Sequence, residues 1–152
     1  MKLDIKKVLP RDPFIYNGYK SIRIITALYL LIVVIRSCVH LFASDGGANS
    51  IAGIDVSAEG GDNIIAIFHQ WGAIQLLLAG LLVVLFFRYP GLTPLVVLTL
   101  AIDPIMRALA GQMMSVTSQS TPPGEALNWP TFFTLVLLFV ASLKESSSTK
   151  KR

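Results

Sequence analysis

Residues 92–111 read LTPLVVLTLAIDPIMRALAG. Twenty residues at 1.5 Å each make a helix about 30 Å long, the thickness of a bilayer's hydrocarbon core. Only Asp103 and Arg107 are charged in that stretch. The apolar residues form one block and follow neither the period of 2 of a half-buried strand nor the 3.6 of a surface helix. This run reads as a membrane-spanning helix, and an aspartate and an arginine four residues apart, with Pro104 beside them, are costly guests in it.

The rest of the chain repeats the pattern. Its 152 residues are 53% apolar and 14% charged, with a mean hydropathy of +0.64. Soluble domains carry about 25% charged residues. Further apolar blocks run over 22–42 and 63–87, and a shorter one, with its apolar centre near Trp129 to Leu143, over about 127–143. The expectation is an all-α four-helix transmembrane bundle over 22–143, with a basic N-terminal segment (1–21) and a basic, disordered tail (144–152). The fourth block spans only if the bilayer thins or if residues back to Glu125 join it. The single cysteine, Cys38, excludes an internal disulfide and any CxxC motif. Two histidines and one cysteine cannot close a zinc site without carboxylates.

The charges orient the blocks. Lys2, Lys6, Lys7, Arg11, Lys20 and Arg23 precede or open the first block, Arg88 lies in the turn RYPGL, and Lys144, Lys150, Lys151 and Arg152 follow the fourth. The connections 43–62 and 112–128 contain no lysine or arginine and carry Asp45, Asp55, Glu59, Asp62 and Glu125. Both termini are therefore expected in the cytoplasm. The same distribution argues against a nucleic-acid surface as the meaning of the net charge of +4. The first block is interrupted by Arg36 and lacks a small-x-small cleavage site, so it reads as an uncleaved anchor. The first outer loop, ASDGGANSIAGIDVSAEGGD, suits a short hairpin or a re-entrant cap, and STPPGEALNWP suits a tight turn. Trp71 and Trp129 are candidate interfacial anchors.

Counting depth from the outer ends places Arg36 and His69 each about six residues (~9 Å) down, Arg107 about four and Asp103 about eight (~12 Å). His40 lies near the outer end of the first block, and Gln75 lies deeper in the second. Arg36 with His40, and Asp103 with Arg107, share helix faces at i,i+4. His69 shares a stripe with Gly72, Ala73, Leu76 and Gly80, and small residues favour close helix approach. Two accounts compete. In one, Asp103 and Arg107 satisfy each other at a kink where Pro104 frees the carbonyl of Leu100 for a neighbouring helix. In the other, Arg36, His40, His69, Asp103 and Arg107 form a ligand site whose surplus positive charge takes a carboxylate, a phosphate or a lipid headgroup.

The stretch FHQWGAIQLLLAGLLVVLFFRYPGLTP at 68–94, followed by DPIMRALAG at 103–111 and TPPG at 121–124, resembles small uncharacterised bacterial four-helix membrane proteins of the DoxX-like and domain-of-unknown-function assemblage. The likeness covers about residues 45–143 and rests on the RYPGL turn, the arginine late in the third block and the TPPG loop. It implies four helices in a bacterial inner membrane and no catalytic residue.

The function expected from these readings is a non-catalytic scaffold, accessory subunit or binder of a small anionic ligand or lipid, without cofactor or metal. Its partners would be the lipid bilayer, an anionic lipid or small anion, and a second copy or another membrane protein. The alternatives are a small transporter or proton-linked carrier, and a haem-binding oxidoreductase subunit with His40 and His69 as ligands.

Overall fold

The computed structural model describes residues 4–146. Lys2, Lys150, Lys151 and Arg152, and with them the expected tail from 147 on, lie outside the described residues. Among the described residues the chain is helical without strands. The main elements are α1 (Lys20–Phe42), α2 (Gly61–Arg88), α3 (Thr93–Met113), the single turn α4 (Pro123–Ala126) and α5 (Asn128–Ser142). Short 3-10 turns cover Ile5–Val8 and Pro90–Leu92.

Three helices, α1, α2 and the one ending at Met113, are long and apolar enough to cross a membrane. At 28 residues α2 measures about 42 Å, so its ends project beyond a hydrocarbon core of about 30 Å. With 15 residues α5 reaches only about 22 Å. The chain before it is nevertheless helical: Leu127 N donates to Pro123 O and Thr131 N to Leu127 O, both at 3.0 Å. The extension back past Glu125 thus exists as α4, joined to α5 through Leu127.

Helix α1 packs along α2, and α3 along α5. The two pairs meet in one core of Ile22 and Leu30 from α1, Leu82 and Phe86 from α2, Val96, Val97, Leu100 and Ala101 from α3, and Leu135 and Leu138 from α5. These residues cluster in the half of the molecule nearest the termini. Burying such side chains in a tight interior is what holds helices together where lipid tails are as apolar as the side chains themselves.

The small-residue stripe is only half right. Gly72 is buried, and a Cβ there would sit 2.6 Å from the His40 carbonyl carbon and the Leu41 nitrogen, so this glycine lets α1 and α2 touch backbone to backbone. Gly80 meets nothing within 4 Å. The buried line instead runs Gly72, Ala79, Leu82, Phe86. At about 100° per residue Ala79 lies only about 20° round the helix from Gly72, whereas Gly80 lies about 80° round and off the contact face.

At the terminal end Arg23 ties three elements together. Its guanidinium donates to Thr93 Oγ1 (2.8 Å), Phe86 O (3.2 Å) and Pro90 O (3.4 Å), and lies 4.3 Å from the centroid of the Phe86 ring. The N-terminal segment crosses the α2–α3 turn: Gly91 N donates to Pro13 O (2.7 Å), and the Phe14 and Tyr89 rings lie 5.2 Å apart. Lys7 pairs with Glu145 at 3.3 Å, and Ser146 N donates to Asn17 O at 2.9 Å.

The first outer loop forms neither strand nor hairpin but a succession of turns. Asp45 organises it. Its carboxylate accepts from Gly47 N, Asn49 N, Ser50 N and Ser50 Oγ at 2.7–3.1 Å, which holds its pKa down at about 2. Gly46 and Gly47 have φ of 58° and 78°, the left-handed region glycine enters without a Cβ penalty. Gln119 N donates to Gly53 O at 2.9 Å and ties the second outer loop to the first.

Candidate functional site

Above the apolar core the interior turns polar. A cavity of about 50 Å³ lies between α1, α2 and α3, lined by Tyr29, Val33 and Arg36, by Gln75, Leu78, Ala79 and Leu82, and by Thr99, Leu100 and Asp103. The sequence pattern explains the convergence. Tyr29 and Arg36 are seven apart on α1, and Thr99 and Asp103 four apart on α3, so each pair shares a face.

Arg36 Nη2 reaches the Gln75 side-chain amide at 3.4 Å. Which end of an amide is oxygen follows from its neighbours. With its oxygen turned toward them, Gln75 accepts from Trp71 Nε1 (2.9 Å) and Arg36 Nη2 (3.3 Å). Arg36 Nε is buried and has no hydrogen-bond partner. Among the described residues no carboxylate stands within 4.0 Å of Arg36.

Asp103 pairs with Arg107, as the i,i+4 spacing predicts, with Arg107 Nε 3.1 Å from Asp103 Oδ2. The angle misses a hydrogen bond, so this Nε is also left without one. Arg107 Nη1 donates instead to Gly124 O in α4, at 3.2 Å. The Asp103 side chain keeps 41% of its surface accessible, so it is partnered without being enclosed. The carbonyl that a neighbouring helix takes near the proline is Pro104's own, not that of Leu100: Asn128 Nδ2 donates to it at 2.9 Å. Helix α3 runs unbroken through Pro104.

The two histidines stand apart from the cavity. His40 Nδ1 lies 2.7 Å from Gly46 O, and His69 Nδ1 lies 2.9 Å from Leu41 O. A carbonyl only accepts, so each Nδ1 carries the proton. The His40 ring is 4.5 Å from Trp71 and 5.8 Å from Phe68, which together form an aromatic lid under the first outer loop. Trp71 is therefore engaged with His40 and Gln75 rather than serving simply as an interfacial anchor, while Trp129 is 52% exposed at the start of α5.

Of the five expected residues, the structure brings Arg36 and Asp103 to one cavity and Arg107 to its edge, and sets His40 and His69 in structural contacts above it. Tyr29, Gln75 and Thr99 line the same cavity, and Asn128 bonds the Pro104 carbonyl, none of them having been singled out as site residues. The signal for Gln75 was its polarity inside an apolar run, four residues after Trp71. Asn128 gave no such signal, since an asparagine at a helix start reads as an ordinary terminus.

Two guanidiniums and one carboxylate leave one positive charge over. A guanidinium with unfilled donors, beside an amide, suits a planar anion that accepts two hydrogen bonds. Comparison of the chain with family models, with curated proteins and with solved structures returns no match.

Proposed function

We propose that this chain is a non-catalytic multi-pass protein of a bacterial inner membrane, with four spans and both termini in the cytoplasm, and that it binds a small anionic group in the outer half of the bilayer. The binding group is Arg36, supported by Gln75 and Trp71, with the Asp103–Arg107 pair completing the wall. One observation carries the reading: Arg36 faces a cavity with a buried Nε unpaired and an amide as its hydrogen-bonded neighbour. A charge in hydrocarbon requires a counter-charge, and the nearest carboxylate is already engaged by Arg107. The likeness of RYPGL and TPPG to bacterial four-helix membrane proteins supports the location, and the positive-inside pattern supports the orientation.

The test is native mass spectrometry of the protein in mild detergent, with Arg36→Gln prepared in parallel. Wild type should retain an anionic adduct or gain thermal stability from added phosphate or carboxylate, and Arg36→Gln should lose both at an unchanged melting temperature without ligand. Absence of both responses in wild type sinks the reading.

A proton-linked carrier using the same cavity is the second reading. It rests on the position of Asp103, an ionisable carboxylate deep in a helix that lines the cavity. Proton-coupled flux in vesicles that Asp103→Asn abolishes would favour it.

A further inference from the structure

A larger cleft lies at the opposite, terminal end of the helices. It measures about 800 Å³ and sits between the N-terminal segment, the first turn of α1 and the α2–α3 turn. Its polar lining is Tyr16, Lys20, Arg23 and Ser146, and Phe14, Ile15 and Pro90 supply its apolar side. We propose that this cleft holds the phosphate headgroup of an acidic phospholipid.

Four features converge. The first is level. Helix α1 begins at Lys20 and its apolar run begins two residues later, so the cleft lies where the chain leaves hydrocarbon for headgroups. The second is charge. Among the described residues this end of the molecule carries seven basic side chains against three acidic ones. Those three are engaged: Asp4 and Asp12 accept from the backbone amides of Lys6 and Phe14, and Glu145 pairs with Lys7. Lys20 is exposed and makes no ion pair or hydrogen bond with the described residues, while Arg23 is held beside it by its three bonds to α2, the α2–α3 turn and α3.

The third is a donor in waiting. The Tyr16 hydroxyl is shielded from solvent and has no partner. Burial, only partly opposed by Arg23, pushes its pKa up to about 12, so it keeps its proton and donates. A Cβ on Gly18 would overlap the Tyr16 phenol, so the glycine permits this placement of the ring. The fourth is the rim. Phe14 and Ile15 remain 54% and 56% exposed, which suits contact with the upper acyl chain and not with water. A phosphate diester with acyl chains answers the charge and the rim together, whereas a soluble phosphate compound answers only the charge.

This inference needs the membrane placement of α1 but not the Arg36 site. The test uses the full chain in neutral detergent and counts bound short-chain lipid by native mass spectrometry. Dioctanoyl phosphatidylglycerol should be retained over dioctanoyl phosphatidylcholine, and Lys20→Gln should cut that preference about fivefold, the equivalent of about 1 kcal/mol for one basic residue at a membrane surface. Tyr16→Phe should weaken it further, and Lys6→Gln, outside the cleft, should leave it unchanged. Melting curves for each variant separate loss of binding from loss of fold, and Lys20→Arg should restore the preference. Equal retention of both lipids, or a preference that Lys20→Gln leaves intact, overturns the proposal. Displacement of the lipid by millimolar inorganic phosphate at the same Lys20-dependent site also overturns it, in favour of a soluble phosphate ligand.

Discussion

Asp103 is the residue on which the polar half turns. It is a short side chain deep in α3 and cannot reach headgroups, so it must be paired where it stands. Arg107 supplies the partner at 3.1 Å. Replacing Asp103 by leucine removes the one carboxylate near two guanidiniums, whereas replacing Arg107 by lysine preserves the charge and sacrifices the bond to Gly124 O. Stranding a buried cation costs about 3–5 kcal/mol when it is fully enclosed, and the partial accessibility of this pair lowers the expectation to about 2 kcal/mol. Asp103→Leu should therefore melt well below wild type in detergent, and Arg107→Lys should stay close to it. Equal melting of the two variants would mean that the pair holds nothing together.

For the helices the deciding contact is between α1 and α2 at Gly72. Two backbones touch there because no side chain intervenes. A methyl group has nowhere to go, since the atoms it meets are backbone atoms of His40 and Leu41 and cannot swing aside. Overpacking of this kind costs about 1–3 kcal/mol. Gly80, two turns on, faces open space, and alanine there is favoured over glycine by helix propensity, by up to about 1 kcal/mol. Gly72→Ala should lower the melting temperature and Gly80→Ala should hold or raise it. A penalty at Gly80 equal to that at Gly72 would reveal a partner seated on that face.

Across the whole molecule the two ends are built differently. The terminal half is a dry, interlocked core from four helices, closed off by Arg23 and by the N-terminal segment laid across the α2–α3 turn. The other half holds the polar cavity and is roofed by the α1–α2 and α3–α4 loops, joined through Gly53 and Gln119. The orientation has a direct check. A reporter fused after residue 152 should be active only in a cytoplasmic format, and one inserted at 116–119 only in a periplasmic format. Periplasmic activity at residue 152 would reverse the topology.

The sequence by itself determined where the helices are, because hydropathy is a property of each segment and needs no neighbour. Residues 22–42 and 63–87 fall inside α1 and α2, the third block falls inside α3 but for Leu92 in the preceding 3-10 turn, and the backward extension of 127–143 appears as α4. It also determined the Asp103–Arg107 pair, since i,i+4 neighbours are fixed by the helix itself. Only the tertiary structure decided which polar groups meet across helices. The rotation of each helix about its axis is set by packing and not by composition, so Gly80 could not be placed from its stripe, although His69 does meet α1. The same rotation sent His40 to the loop carbonyl of Gly46, His69 to the α1 carbonyl of Leu41, and Gln75 to Arg36. Asn128 reached Pro104 because α5 packs along α3, a neighbour relation no local pattern encodes.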